Sequence, residues 1–229
     1  MKIHMRITGK LGSAIALATI MTTGAVAADL YVPATPVFVD EDTSTSNFYI
    51  GLHKGYGWGL ADHTSLDPGN DIDLTGWLLG IHAGVLFQTN SNIVFGLEKD
   101  IEWTNIAGEC ESPDCSAFAD PYYASINFEG SARARIGFMT DGGMVMPYLT
   151  GGLAWANATR GSDVDEETLY IFGWTAGAGI EVMTDSNMSF FGEARYTSYT
   201  GAEFDTGGTP PTVAFSHTTI RFGANWYIN

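Results

Sequence analysis

Arg133, Arg135, Arg195 and Arg221, together with Glu98, Asp100, Glu129, Glu181 and Glu193, are the residues whose types and spacing could do chemistry together. They recur at alternate positions: Glu98-x-Asp100-x-Glu102, Glu129, Arg133-x-Arg135 and Glu193-x-Arg195. Carboxylates interleaved with guanidiniums support two chemistries. One is a paired network that fills an interior, since an unpaired buried charge is expensive. The other is a narrow ion path. His53, His82 and His217 could add a heme or metal site, or simply pack inside. Catalysis has little support. Ser216 and His217 are adjacent, so in a strand they face opposite ways and cannot form a nucleophile–base pair. No glycine-rich phosphate loop is present, and no enzyme activity, cofactor or metal is expected. Cys110 and Cys115 stand in ECESPDC. In an exported chain their default reading is a small-loop disulfide, with free thiols or a metal pair as alternatives.

These side chains need elements that hold them at alternate positions. Tyr122–Phe138 is the clearest. Its even positions are Tyr122, Ala124, Ile126, Phe128, Gly130, Ala132, Ala134, Ile136 and Phe138, without a charge. Glu129, Arg133 and Arg135 all fall on the odd positions. A strand sends successive side chains to opposite faces, so this segment is expected to be one ribbon with an apolar and an ionic face. Such a ribbon suits a barrel wall with lipid outside and a polar interior.

The same alternation predicts seven more strands, at 47–60, 74–88, 93–106, 144–158, 168–183, 188–200 and 213–228. The connections alternate between short and long. The short ones, TNSN, TDGG and TDSN, share turn chemistry. Aromatic residues sort into two outward bands. Trp58, Trp77, Trp103, Tyr122, Trp155 and Tyr170 lie toward the long connections. Phe48, Phe87, Phe138, Phe190 and Trp226 lie toward the short turns. Two such girdles belong to a membrane barrel. The expected fold is therefore all-β, an eight-stranded antiparallel up-and-down transmembrane β-barrel. Lys54 and Lys99 are discordant, since both fall on the apolar face; they either snorkel or mark a bulge.

Composition agrees with that expectation. The 229 residues include 28 Gly and 13% aromatics, with only 16% charged residues. The formal net charge of −16 argues against nucleic acid as a partner. Lys2, Arg6 and Lys10, the apolar stretch from Leu11 to Ile20, and Ala25-Val26-Ala27 make residues 1–27 an expected signal peptide, cleaved after Ala27 or Ala28. Residues 28–46 are expected to be a periplasmic leader and 47–229 the barrel. Acids crowd the long connections, including Asp163, Asp165, Glu166 and Glu167, and could bridge to lipopolysaccharide through divalent cations.

NFYIGLHKGYGWG, GWLLGIHAGVLFQ, IVFGLEKDIEWTNI, GSARARIGF and MPYLTGGLAWANA follow one another in this chain. In that order they resemble the small outer-membrane β-barrel proteins of alphaproteobacteria, the "porin family" or outer membrane immunogenic proteins. The most specific part is G-S-x-R-x-R-x-G-[FY] followed by P-Y-[LV]-T-G-G-L-A. The resemblance covers nearly the whole mature chain. It implies a barrel similar to the OmpA transmembrane domain, a surface antigen in the Gram-negative outer membrane. The implied partners are outer-membrane lipid, lipopolysaccharide and the assembly machinery that reads a terminal aromatic residue. Here the chain ends WYIN, so Ile228 stands near that place. The function expected is a structural, surface-exposed barrel with a lumen plugged by internal salt bridges. A narrow pore for ions or small solutes is the alternative. Capture of a heme-like ligand or a host surface by the loops is another.

Overall fold

The computed structural model describes residues 46–63, 71–89, 91–110, 122–140, 142–161, 166–204 and 212–228. Nine strands follow in chain order: β1 (Ser46–His63), β2 (Ile72–Gln88), β3 (Ile93–Cys110), β4 (Tyr122–Phe138), β5 (Val145–Gly161), β6 (Glu166–Met183), β7 (Met188–Tyr199), β8 (Ala202–Glu203) and β9 (Thr212–Ile228). Each strand pairs antiparallel with its neighbour, and β9 returns to pair with β1 from Phe48↔Ile228 to His63↔Val213. The sheet is thereby closed into an eight-stranded barrel, with β8 a two-residue rung beside β9. Closure removes the sheet's long free edges, which a lipid environment would not tolerate.

The three short turns share one construction. Thr89, Thr140 and Thr184 each open a turn. In each, the threonine N–H and hydroxyl both donate to a single carbonyl at the start of the next strand, that of Ile93, Val145 or Met188. Asn92, Asn187 and the pair Gly142–Gly143 take the positive φ angles these turns need. Thus TNSN, TDGG and TDSN set strand register at one end.

Burial alternates along the walls as the strand period requires. The outward face carries Phe48, Ile50, Leu52, Leu79, Leu97, Leu149, Leu153, Phe172 and Phe222, all exposed. Lys54 and Lys99 keep that parity and are exposed too. No bulge intervenes at either lysine. The register shifts occur elsewhere, between Trp103 and Ile106 of β3 and between Ile126 and Phe128 of β4.

That irregularity corrects the two-faced ribbon expected for Tyr122–Phe138. Below Asn127 the parity is reversed: Ala124 and Ile126 are fully buried inside, whereas Ala132, Ala134, Ile136 and Phe138 point out. Asn127 takes the extra place and is exposed. Strands β1, β3 and β5 also run three or four residues beyond their expected ends. In β1 the extension buries Ala61, whereas in β5 it buries Thr159 and Arg160, a charge that lies above the main ionic zone.

The interior is layered. Toward the long connections lies an apolar plate that includes Ile72, Leu74, Ile106, Ile126, Phe204 and Phe215. Toward the short turns lies a second, built from Tyr49, Leu86, Val94, Met139, Met146, Met183 and Tyr227. The network of charged side chains from β3, β4, β6, β7 and β9 is held between the plates, and Arg160 of β5 is buried at the level of the first plate.

Candidate functional site: the lumen network

The period of two brings ten inward charges to one interior surface, apart from Arg160, which is buried nearer the long connections. Glu98, Asp100 and Glu102 come from β3, and Glu129, Arg133 and Arg135 from β4. Glu181 comes from β6, Glu193 and Arg195 from β7, and Arg221 from β9. All are buried except Glu98, which is partly covered. Arg133, Arg135, Arg195 and Arg221 each meet more than one carboxylate. Arg133 pairs with Asp100 at 2.9 Å and with Glu193 at 2.8 Å, and also with Glu98. Arg195 holds Glu102 at 2.7 Å and lies 3.4 Å from both Asp100 and Glu129. Arg221 bridges Glu102 and Glu193. Arg135 reaches Glu181, lies 3.6 Å from Glu98, and stacks on the Tyr148 ring with 3.6 Å to its centroid.

The carboxylates Glu98, Asp100, Glu102, Glu129, Glu181 and Glu193 outnumber the four guanidiniums. Hydroxyl donors supply what the arginines leave. Tyr49 donates to Glu98 at 2.6 Å, Tyr148 to Glu193 at 3.0 Å, Tyr199 to Glu129 at 2.7 Å and Tyr227 to Glu181 at 2.6 Å. Ser131 donates to Asp100 at 2.7 Å and the Asn225 amide to Glu181 at 2.7 Å. A buried carboxylate is tolerable only with such partners. These tyrosines were the functional residues missed from sequence. Their signal was present, since Tyr49, Tyr148, Tyr199 and Tyr227 all fall on inward parity.

The histidines join the same network. His53 Nε2 lies 2.9 Å from Glu102, and His53 Nδ1 lies 2.9 Å from His82 Nδ1. His82 Nε2 is 2.6 Å from the Asn225 side-chain Oδ1, and His217 Nε2 is 3.2 Å from Glu129. Among the described residues, no group of three or more His, Cys, Asp or Glu could hold a metal ion. His53 and His82 meet each other, while His217 sits apart beside Glu129.

Glycines let the aromatic donors lie flat against the wall. A Cβ on Gly84 would come within 2.5 Å of the Tyr49 hydroxyl end and 2.7 Å of the Leu97 carbonyl oxygen. Gly179 stands in the same relation to Tyr148. Gly84→Ala must therefore push Tyr49 off Glu98. The expected loss is about 1–3 kcal/mol of barrel stability, measured by denaturant unfolding in lipid vesicles. An unchanged midpoint would mean that the Tyr49 placement contributes nothing.

The aromatic bands lie outside this core. Phe48, Phe87, Phe138, Phe190 and Trp226 are exposed toward the short turns. Trp58, Trp77, Trp103 and Tyr170 are exposed toward the other end. Trp155 is half-buried, lying across Gly130. The Tyr122 side chain falls outside the described residues. The expected disulfide between Cys110 and Cys115 also lies outside the described residues, as do the signal peptide and leader.

A closed barrel with an apolar outer band narrows the possibilities to membrane families. The family model for the outer membrane protein beta-barrel domain matches residues 14–227. The chain belongs to this outer-membrane β-barrel family. Among relatives, the 25 kDa outer-membrane immunogenic protein of Brucella abortus is 34% identical over 197 residues, covering 85% of this chain and 84% of its own. The 31 kDa outer-membrane immunogenic protein of Brucella melitensis is 30% identical over 202 residues, covering 79% and 83%. A 22 kDa outer membrane protein of Rhizobium leguminosarum is 26% identical over 180 residues, covering 79% and 76%. As a member of this family, the barrel is an outer-membrane protein; bacterial outer-membrane barrels in general carry their short turns on the periplasmic side.

Proposed function

We propose that this barrel is a structural outer-membrane protein whose lumen is sealed and whose role is carried by its outer surfaces. The sandwich of an ionic layer between two apolar plates is the single observation behind this reading. An ion crossing the lumen would have to shed water against Phe204 and Phe215 at one end. It would then displace paired charges, and finally pass Met139, Met146 and Met183 at the other end. All three steps are costly, since those phenylalanines and methionines offer no hydration and the network charges already have partners. An eight-stranded interior is narrow enough for side chains alone to fill. The printed names of the relatives, which call them immunogenic, support exposure at the cell surface.

Planar-bilayer recording of the refolded barrel tests the reading. The expected trace is silent, with no steady single-channel steps. Reproducible conductance would replace the sealed-lumen reading with the narrow pore.

A further inference from the structure

The extracellular rim is uneven. Strands β5 and β6 stay paired to the top, from Val145↔Val182 through Gly161↔Glu166. On its other side β6 pairs with β7 only from Gly173↔Tyr199 downward. One more bond follows, in which the Thr200 N–H donates to the Phe172 carbonyl at 2.8 Å. Above that point β7 has ended. Among the described residues, β6 from Glu166 to Tyr170 then has a strand partner on one side only. The far side of the notch is lined by β8, which is itself paired to β9 through Ala202↔Val213 and Glu203↔Thr212.

The Phe172 carbonyl shows which residues aim their main chain into the notch. In a strand, N–H and C=O of one residue point the same way and alternate along the chain. Tyr170, Thr168 and Glu166 therefore turn both groups toward the notch, whereas Ile171, Leu169 and Glu167 turn theirs toward β5. The side chains beside this edge suit contact: Tyr170 is 71% exposed and Phe172 is 67% exposed. Glu203 is exposed on the far side of the notch, and Glu166 is exposed on the near side, where its carboxylate accepts from the Tyr123 hydroxyl of β4.

We propose that the β6 edge is a docking strand for an extended, cationic polypeptide segment from outside the cell. An antiparallel segment would take its main-chain bonds from Glu166, Thr168 and Tyr170, as in strand addition to a free sheet edge. Its alternate side chains would pack on Tyr170 and Phe172. Lysine or arginine would face Glu203 and the remaining acceptor oxygen of Glu166, matching the acidic chain, whose net charge is −16. A second copy of the same edge is the poorer occupant, because it would set glutamate against glutamate. The proposal rests on the outward orientation of the long-connection end, but not on the lumen being sealed.

The test uses the protein in lipid nanodiscs and a peptide of about seven residues, alternating lysine with valine, matched to the length of the edge. A control peptide carries N-methyl groups on the alternate amides that would face β6. The unmodified peptide is expected to bind and to slow amide hydrogen exchange at Thr168 and Tyr170. The methylated peptide should bind roughly tenfold more weakly. Thr168→Pro removes an N–H that faces the notch and spares the ladder to β5, so the barrel should fold and lose binding to a similar degree. Equal binding of both peptides to the parent protein would reduce the effect to charge attraction and overturn the proposal, whatever the fate of the proline variant. So would amides at Thr168 and Tyr170 already as protected in the free protein as those of the β5–β6 ladder. Surface labelling of Glu166→Cys on intact cells reports orientation separately from docking.

Discussion

Glu102→Gln is expected to destabilise the barrel by about 3–5 kcal/mol, the largest loss for any single lumen change of this size. Glu102 is fully buried and accepts from Arg195, Arg221 and His53 together. Glutamine keeps the shape but removes the charge that two guanidiniums share. Those guanidiniums cannot shed their own charge, and the apolar plates keep water from replacing it. Glu98→Gln is the comparison. That residue is partly covered at the margin of the network, and Arg135 and Arg133 keep Glu181, Asp100 and Glu193 without it. Its loss should be clearly smaller. Denaturant unfolding in lipid vesicles gives both numbers. A Glu102→Gln midpoint within about 1 kcal/mol of the parent would show that the network is loosely coupled and solvated. Neither variant should conduct, because the plates at both ends remain in place.

Lys99→Leu should act in the opposite direction and stabilise the barrel by about 2 kcal/mol. Lys99 lies on the lipid face of β3, four residues from Phe95 below and four from Trp103 above, midway between bands of exposed aromatics. It stands beside an apolar hollow of about 630 Å³ lined by Ile50, Leu52, Ile81, Ala83, Ile101 and Trp226. A lysine at that depth costs roughly 2–4 kcal/mol. Part is recovered because its ammonium reaches to 5.7 Å from the Trp155 ring centroid, a contact of about 0.5–2 kcal/mol. Leucine removes the first contribution and forfeits the second. If Lys99→Leu instead weakened the barrel in vesicles, Lys99 could not be facing plain hydrocarbon.

Most of this architecture was legible because each wall strand writes its two faces in different chemistry. Tyr122–Phe138 was bounded to the residue, and the three threonine-led turns marked one end. The inward charges could be collected from parity alone. The failure at Ala124 and Ile126 has a physical cause. Inside the upper plate the lumen is as apolar as the lipid face, so alternation there carries no label, and a one-residue bulge at Asn127 leaves no trace in hydrophobicity. Which acid serves which arginine was also hidden. The neighbouring strands point to Glu98, Asp100 and Glu129, and each does meet an arginine; that Glu102 and Glu193 also bridge pairs of arginines could not be read from them. Such pairings depend on how far side chains reach across a narrow cylinder, and that distance is absent from any single strand.

Closure between β1 and β9 has a consequence for how the molecule is made. Arg221 is 119 positions from Glu102, and Asn225 is 143 positions from His82. Until the last strand arrives, Glu102, Glu193 and the histidines have only some of their partners, and they sit in a half-built wall entering lipid. Contacts so distant along the chain form late. Intermediates missing β9 are therefore penalised by their own interior, and the finished cylinder is favoured over any open sheet. The network thus serves as a checkpoint on completion of the barrel.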